Sequence, residues 1–312
     1  MMRVIRLADA PDLTPAWDRF IAGHKHGWFW HTSAWLAYQR AYRAENIDES
    51  FAVLGVDGSV IAVAPLVVSK DETGAPEFSF SGSPTPRLLH HPRDGRFGPP
   101  GLHGVVEEQR LRVAKTRGVT RGVFAGWAFD GDANQDSPVT LRVIDLAYDE
   151  ATLWRDVRKS YKALIHRGEE RFTVSVADAS ECGRHFESYE RLHRLVYAEP
   201  RPEATYRLQH GWLHDGYALV VLALPLGREA VGATYWIVYK GSAYYASGAY
   251  AEDNIAHAVV WRSILALKAR GIRSAVMGWR GLERTDKERG VTHFKCGFGA
   301  ADVPVAVSEV TY

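Results

Sequence analysis

Cysteine is nearly absent: the 312 residues hold two, Cys182 and Cys296. That excludes a disulfide framework and makes a reducing cytoplasm the simplest expected home. Net charge is nearly absent as well. The formal value is +1, so no global field points to DNA or RNA as the main partner. No run of about 18 apolar residues occurs, so nothing is expected to span a membrane as a helix. Met1 to Asp9 has no apolar core of the secretory type. Cys-x-x-Cys and His-Glu-x-x-His spacings are both missing. The adjacent His90 and His91 would point apart on a strand. No structural or catalytic metal and no permanently bound cofactor are therefore expected.

Aromatic residues are what the chain has in plenty, with 10 Trp and 14 Tyr. Such side chains serve packing first, and their polar tips also suit ligand grooves. At roughly 100–200 residues per domain, the length suggests two domains, each large enough to bury a full core.

The pattern along the chain supports that division. Thr14-Pro15 opens a helix that runs to Gly23, and Ser33 opens another to Arg43. Two β-rich runs around Asp57-Gly58 read as a hairpin. Residues 71–104 are rich in Gly, Pro, Ser and His and read as a long irregular loop. A helix from Val105 to Arg117 and strands over 122–129 and 139–146 complete the first half. A boundary near Ala147 to Glu150 gives expected domains at 1–148 and 149–312. The second half reads as a long helix over 150–170, a strand over 172–177, helices over 182–197 and 205–215, and three strands over 217–224, 231–239 and 242–249. A helix over 256–270, capped by Gly271, and strands over 273–278 and 303–310 follow. This is an α/β order, with mixed, mostly antiparallel sheets flanked by helices.

Five segments narrow the class. They are Phe29-Trp30-His31-Thr32-Ser33-Ala34-Trp35, Arg158-Lys159-Ser160-Tyr161-Lys162, Tyr244 to Tyr250 with His257 and Trp261 behind it, Met277-Gly278-Trp279, and His293-Phe294-Lys295-Cys296-Gly297-Phe298-Gly299. In this order they resemble the FemABX-like, GNAT-related acyltransferases. The last segment is similar to their F-K-x-G-F-G signature. The resemblance implies two GNAT-like domains. It also implies transfer of an acyl or aminoacyl group, from aminoacyl-tRNA or acyl-CoA as donor substrate, to the amino group of a small-molecule, peptide or sugar acceptor. The chain departs from ordinary GNAT proteins in one respect. No Q/R-x-x-G-x-G/A loop, which aims backbone N–H groups at a pyrophosphate, precedes the helix at Ala256.

Amide formation needs a neutral amine, a place for the oxyanion and a proton acceptor. Lys295, between aromatics and glycines, is the oxyanion candidate. His31 and Tyr245 are the candidates for the proton, with His90, His91, His257 and His293 as further histidines that titrate near neutrality. Arg155, Arg158 or Lys159, Lys162 and His166 recur at three- and four-residue steps and would share a helix face suited to phosphates or to plain solvation. Arg93, Arg96, Arg158, Lys159 and Lys162, with the aromatic Trp35 and Phe298, are the expected substrate-binding residues. Charged tRNA is an expected partner if the donor is of that kind. Cys296 stands at the variable position of the signature and has no His–Asp pair to make it a nucleophile. The competing expectation is a non-catalytic GNAT-like module that holds a nucleotide-linked or peptide ligand within a biosynthetic complex.

Overall fold

The structure, a computed structural model, describes residues 2–90, 101–126, 139–177, 181–283 and 285–312. The chain divides into two compact units, Met1–Ser137 with Val305–Tyr312, and Pro138–Pro304. This division precedes the expected one at 148/149 because the strand over 140–145 pairs with strands of the second unit.

In the first unit the strands are β1 (Arg3–Arg6), β2 (Ile47–Asp48), β3 (Phe51–Leu54), β4 (Val60–Ala64), β5 (Val67–Lys70), β6 (Pro76–Phe78), β7 (Thr85–Pro86), β8 (Leu89–His90) and β9 (Arg121–Ala125). The helices are α1 (Thr14–Gly23), α2 (Ser33–Tyr42) and α3 (Leu102–Arg117). One sheet runs β1-β3-β4-β8. The expected hairpin is β3–β4, turning at Gly58 with φ +81°. Helix α2 is capped one residue earlier than expected. Thr32 Oγ1 accepts from the Trp35 N–H at 3.3 Å, while Ser33 Oγ donates to Asp18 at 2.5 Å.

The second unit holds, in chain order, β10 (Thr140–Asp145), α4 (Glu150–Asp156), α5 (Lys159–Arg171), β11 (Thr173–Val176), α6 (Cys182–Val196), α7 (Glu203–His214), β12 (Ala218–Leu224), β13 (Gly232–Tyr239), β14 (Ser242–Tyr250), α8 (Ile255–Ala269), β15 (Ser274–Arg280), α9 (Asp286–Cys296) and β16 (Ala301–Pro304). Its sheet runs β11-β12-β13-β14-β15-β10-β16, and only β14 and β15 pair in parallel. Both faces are covered. Trp236 lies in the core with Val259 and Ile264 of α8. Its neighbour Tyr235 points the other way, and its hydroxyl donates to the Gln209 carbonyl of α7 at 2.7 Å. The unbroken apolar run of β12, Ala-Leu-Val-Val-Leu-Ala-Leu, is what burial on both faces requires.

Two expectations are corrected. The single long helix over 150–170 is two, α4 and α5, broken at Val157-Arg158. Val157 is buried, and Arg158 takes ψ 134° so that its N–H donates to the Gly297 carbonyl at 2.8 Å. The expected last strand over 303–310 is also two. Strand β16 ends in the second unit, and β17 (Val307–Thr311) returns to the first, where it edges the sheet β17-β9-β6-β5-β2. Tyr312 then sets its ring edge-on to Phe78 at 5.2 Å. Deleting 307–312 should therefore lower the stability of the first unit by about 3 kcal/mol, because it removes both the β17 edge strand and the partly buried Tyr312 ring from the core. Calorimetry checks this, and an unchanged melting profile would contradict it.

Candidate functional site

The geometry of interest begins where β14 and β15 part. They pair only at Ser242↔Ser274, Ala243↔Ala275 and Tyr244↔Val276, although β14 continues to Tyr250 and β15 to Arg280. Each strand is bulged at this point. Ala246 is the extra residue of β14 against Tyr235 and Trp236, and Met277 is the extra residue of β15 against Arg142 and Val143. Bulges bend a strand and re-aim its side chains. The result is an open fork in the middle of the sheet.

Lys295, in the last turn of α9, enters this fork. Its Nζ lies 4.8 Å from the centre of the Tyr245 ring. A Cβ added to Gly278, which has φ +121°, would stand 3.2 Å from the same atom. Loss of hydration pushes the ammonium down to about 8, against a small opposing effect from Cys296. Among the described residues no carboxylate pairs with it. The favourable face of the tyrosine ring partly replaces water around the charge.

The Phe294–Gly299 signature explains how Lys295 is held. Helix α9 opens on a capping box, in which Thr285 Oγ1 accepts from the Glu288 N–H at 3.2 Å and Glu288 Oε2 accepts from the Thr285 N–H at 3.0 Å. It ends at Gly297, whose missing side chain leaves room for the Tyr161 ring; a Cβ there would collide with it. The Tyr161 hydroxyl donates to the Phe294 carbonyl at 3.2 Å. Gly299 has φ +83°, and a Cβ on it would stand 3.0 Å from Asp156 Cβ. Thus the signature docks on the α4–α5 break, and the aromatics fix the direction in which Lys295 leaves the helix.

Tyr245 is also in the fork, but burial pushes its phenol far up, and its hydroxyl is 2.9 Å from that of Tyr250. It can donate a hydrogen bond; it cannot collect a proton near neutrality. Gly248 makes this pair possible, because a Cβ there would strike both hydroxyls. Helix α6 grips the same segment of β14. The Tyr189 and Ser247 hydroxyls are 2.6 Å apart, and the Tyr197 hydroxyl donates to the Gly248 carbonyl at 3.0 Å. His193 stacks on Tyr197 at 4.3 Å and bonds the Tyr206 hydroxyl through Nδ1 at 2.9 Å; burial pushes it down to about 3. The sequence reading missed this tyrosine–histidine layer, although the spacing of Tyr189, His193 and Tyr197 on one face was there to be read.

His31 is not placed to act as a base. It lies in the first unit, 1% exposed. The Trp28 N–H donates to its Nδ1 at 3.2 Å, which leaves Nε2 to donate to the Arg87 carbonyl at 3.3 Å. Its reach is spent on backbone. Phe298 is corrected as well. At 1% exposure it packs against Tyr161 and Phe294, each at 5.3 Å, and offers no surface to a ligand. Trp35, half-buried on α2 in the first unit, stacks on Tyr38 at 5.0 Å and meets Trp30 at 4.1 Å. Arg93 and Arg96 lie outside the described residues. The expected basic face exists in altered form. Arg158 sits at the helix break, 2.7 Å from His293 Nε2, and Lys162 donates to the Arg155 carbonyl at 3.1 Å, while Lys159 is exposed. His257, on α8, sets its ring edge-on to Tyr161 at 4.3 Å and to Phe294 at 5.1 Å, and burial lowers its pKa.

A sheet that forks between parallel neighbours, with a helix starting behind the fork, can be compared with known domains. Residues 153–299 match the profile of the family described as "Acetyltransferase (GNAT) domain". Those residues lie within the second unit, whose fold is GNAT-like. Among solved structures, FemX superposes with a TM-score of 0.61 at 12% identity, over 96% of this chain and 96% of that one. A chain from Agrobacterium fabrum, described as the C-terminal domain of a lysylphosphatidylglycerol synthetase, gives 0.57 at 12% identity over 95% and 91%. A tandem GNAT protein from the clavulanic acid pathway gives 0.50 at 12% identity over 100% and 98%. No curated protein matches the sequence. The GNAT profile match and the FemX-like fold bear out the FemABX-like resemblance. Such a fold hosts many substrates, so these likenesses name none. Among the described residues no helix is long and apolar enough to cross a membrane.

Proposed function

We propose that this chain forms amides, moving an acyl or aminoacyl group onto an amine in the β14–β15 fork, with Lys295 against the developing oxyanion. The observation that carries this reading is the Lys295 ammonium, held in the fork over the Tyr245 ring, with no carboxylate among the described residues to neutralise it. A partly desolvated cation with no carboxylate partner among the described residues stabilises new negative charge more than one in bulk solvent. The acceptor nitrogen forms a bond to the acyl carbon, and the ester or thioester bond of the donor breaks. The nitrogen proton leaves with the departing oxygen or sulfur. Tyr245, kept protonated by burial, serves as a hydrogen-bond donor rather than a base.

The start of α8 supports aminoacyl-tRNA over acyl-CoA as donor. The segment before it is Ala251-Glu252-Asp253-Asn254, and Asn254 caps the helix with φ +66° and no side-chain bond. Glu252 is held by Arg171 at 3.1 Å and Arg228 at 3.3 Å. These two guanidiniums neutralise Glu252, so the donor preference rests on the missing glycine-rich loop, whose backbone N–H groups would cradle a pyrophosphate. Arg158, Lys159 and Lys162 would take donor phosphates at the start of α5. The acceptor class is a small-molecule, peptide or sugar amine, and the reading places the reaction in the cytoplasm.

The pH dependence tests this. Transfer needs Lys295 charged, so activity is present below pH 8 and lost as pH rises through about 8. Lys295→Arg keeps its charge far above this range. The ratio of wild-type to Lys295→Arg kcat should therefore fall about tenfold per unit above pH 8, and taking the ratio removes the ionisation of the acceptor amine. A ratio that stays flat to pH 10 would sink the assignment.

A further inference from the structure

We propose that Lys295 is a self-acylation site: when acceptor is scarce, its own Nζ takes the acyl group and the transfer site is switched off. The inference rests on the reading that the donor carbonyl lies in the fork. Placement carries it. Nζ stands over the Tyr245 ring and beside the bare Cα of Gly278. The groups that face it are Tyr244 and Tyr245 from β14, Gly278 from β15, and Cys296 from its own helix. None of these is a carboxylate. Among the described residues the amine has no ion pair to break before it attacks, and α9 delivers it to the place where the carbonyl is held.

Other lysines of this unit are differently placed. Lys268 Nζ donates to the carbonyls of Leu146 at 2.9 Å and Tyr148 at 2.7 Å, and Lys162 donates to that of Arg155. Lys159 and Lys287 are exposed. The desolvation that lowers Lys295 also raises its share of neutral amine.

The step balances without a further reagent. An Nζ–carbon bond forms, the ester or thioester bond of the donor breaks, and the proton lost by nitrogen leaves with the alkoxide or thiolate. The resulting amide is uncharged. It removes the cation that faces the oxyanion and adds an acyl group beside Gly278, where space is already short.

The test uses the full chain and p-nitrophenyl acetate, an activated acetyl ester, at pH 7 under limiting exposure, with acetylated peptides quantified by mass spectrometry. Lys295 should be acetylated about fivefold faster or more than Lys159 and Lys287, because a lowered pKa raises the neutral fraction more than it lowers nucleophilicity. Labelling of Lys295 no faster than of those two overturns the proposal. Turnover of Lys295→Met separates it from the functional reading. Unlabelled Lys295 with lost turnover in the variant overturns self-acylation and leaves the oxyanion role. Labelled Lys295 with wild-type turnover in the variant keeps the self-acylation site, removes the oxyanion role and leaves the added bulk beside Gly278 as the means of switching off.

Discussion

Lys295→Met should lower kcat for acyl transfer by about 10²–10³, the usual result of removing one oxyanion donor, while KM changes little. The split matters. An interaction made only in the transition state lowers kcat and kcat/KM together, whereas a ground-state contact would raise KM instead. Methionine keeps the length and apolar stem of lysine and still rests on the Tyr245 ring. No carboxylate is orphaned, because none pairs with Lys295 among the described residues. The melting temperature should therefore hold or rise slightly, since a desolvated charge has been removed. Steady-state kinetics with a thermal melt reads both. A loss of stability as large as the loss of rate would mean that Lys295 is structural.

Gly297→Ala has the second large effect, and this one acts on the fold. The added methyl would collide with the Tyr161 ring, which is fixed by its hydrogen bond to the Phe294 carbonyl and by the Arg158 guanidinium 5.0 Å above it. Overpacking a tight contact of this kind destabilises by about 3 kcal/mol. For a unit of this size that is roughly 6–12 °C. The ring has one escape: it can be removed. In the Tyr161→Ala background the same glycine substitution should cost under about 1 kcal/mol, so the coupling in a double-mutant cycle should approach the whole effect. Equal losses in both backgrounds would show that the ring and the glycine do not meet.

The contrast between these residues shows what could be read from the chain alone. The three strands over 217–249, the helix ending at Gly271 and the capped helices of the first half were legible because each carries a local signal, a period or a cap. The break between α4 and α5 was not, because its cause is remote: the Arg158 N–H is satisfied by Gly297, 139 positions later in the chain. Helix α9 was missed despite Thr285-x-x-Glu288, a capping box in plain view, because the glycine-rich signature behind it reads as a turn. The split of the last segment into β16 and β17 depends on which sheet each half joins, and no local pattern states that. For the site, the signature led to Lys295, which stands in the fork. His31 and Phe298 came from motifs too, yet burial removes both from any ligand. A motif residue can serve packing as readily as chemistry, and only exposure and partners separate the two.

The central claim is that the fork transfers an acyl group to nitrogen. The most direct measurement incubates the wild-type chain with an aminoacyl-tRNA or an acyl-CoA and a panel of amines, then reads the products by mass spectrometry after hydroxylamine, which cleaves esters and thioesters and spares amides. The account predicts an acylated amine that survives hydroxylamine, formed with aminoacyl-tRNA in preference to acyl-CoA and lost in Lys295→Met. A hydroxylamine-sensitive product, or the same amide formed at the same rate by Lys295→Met, would contradict it.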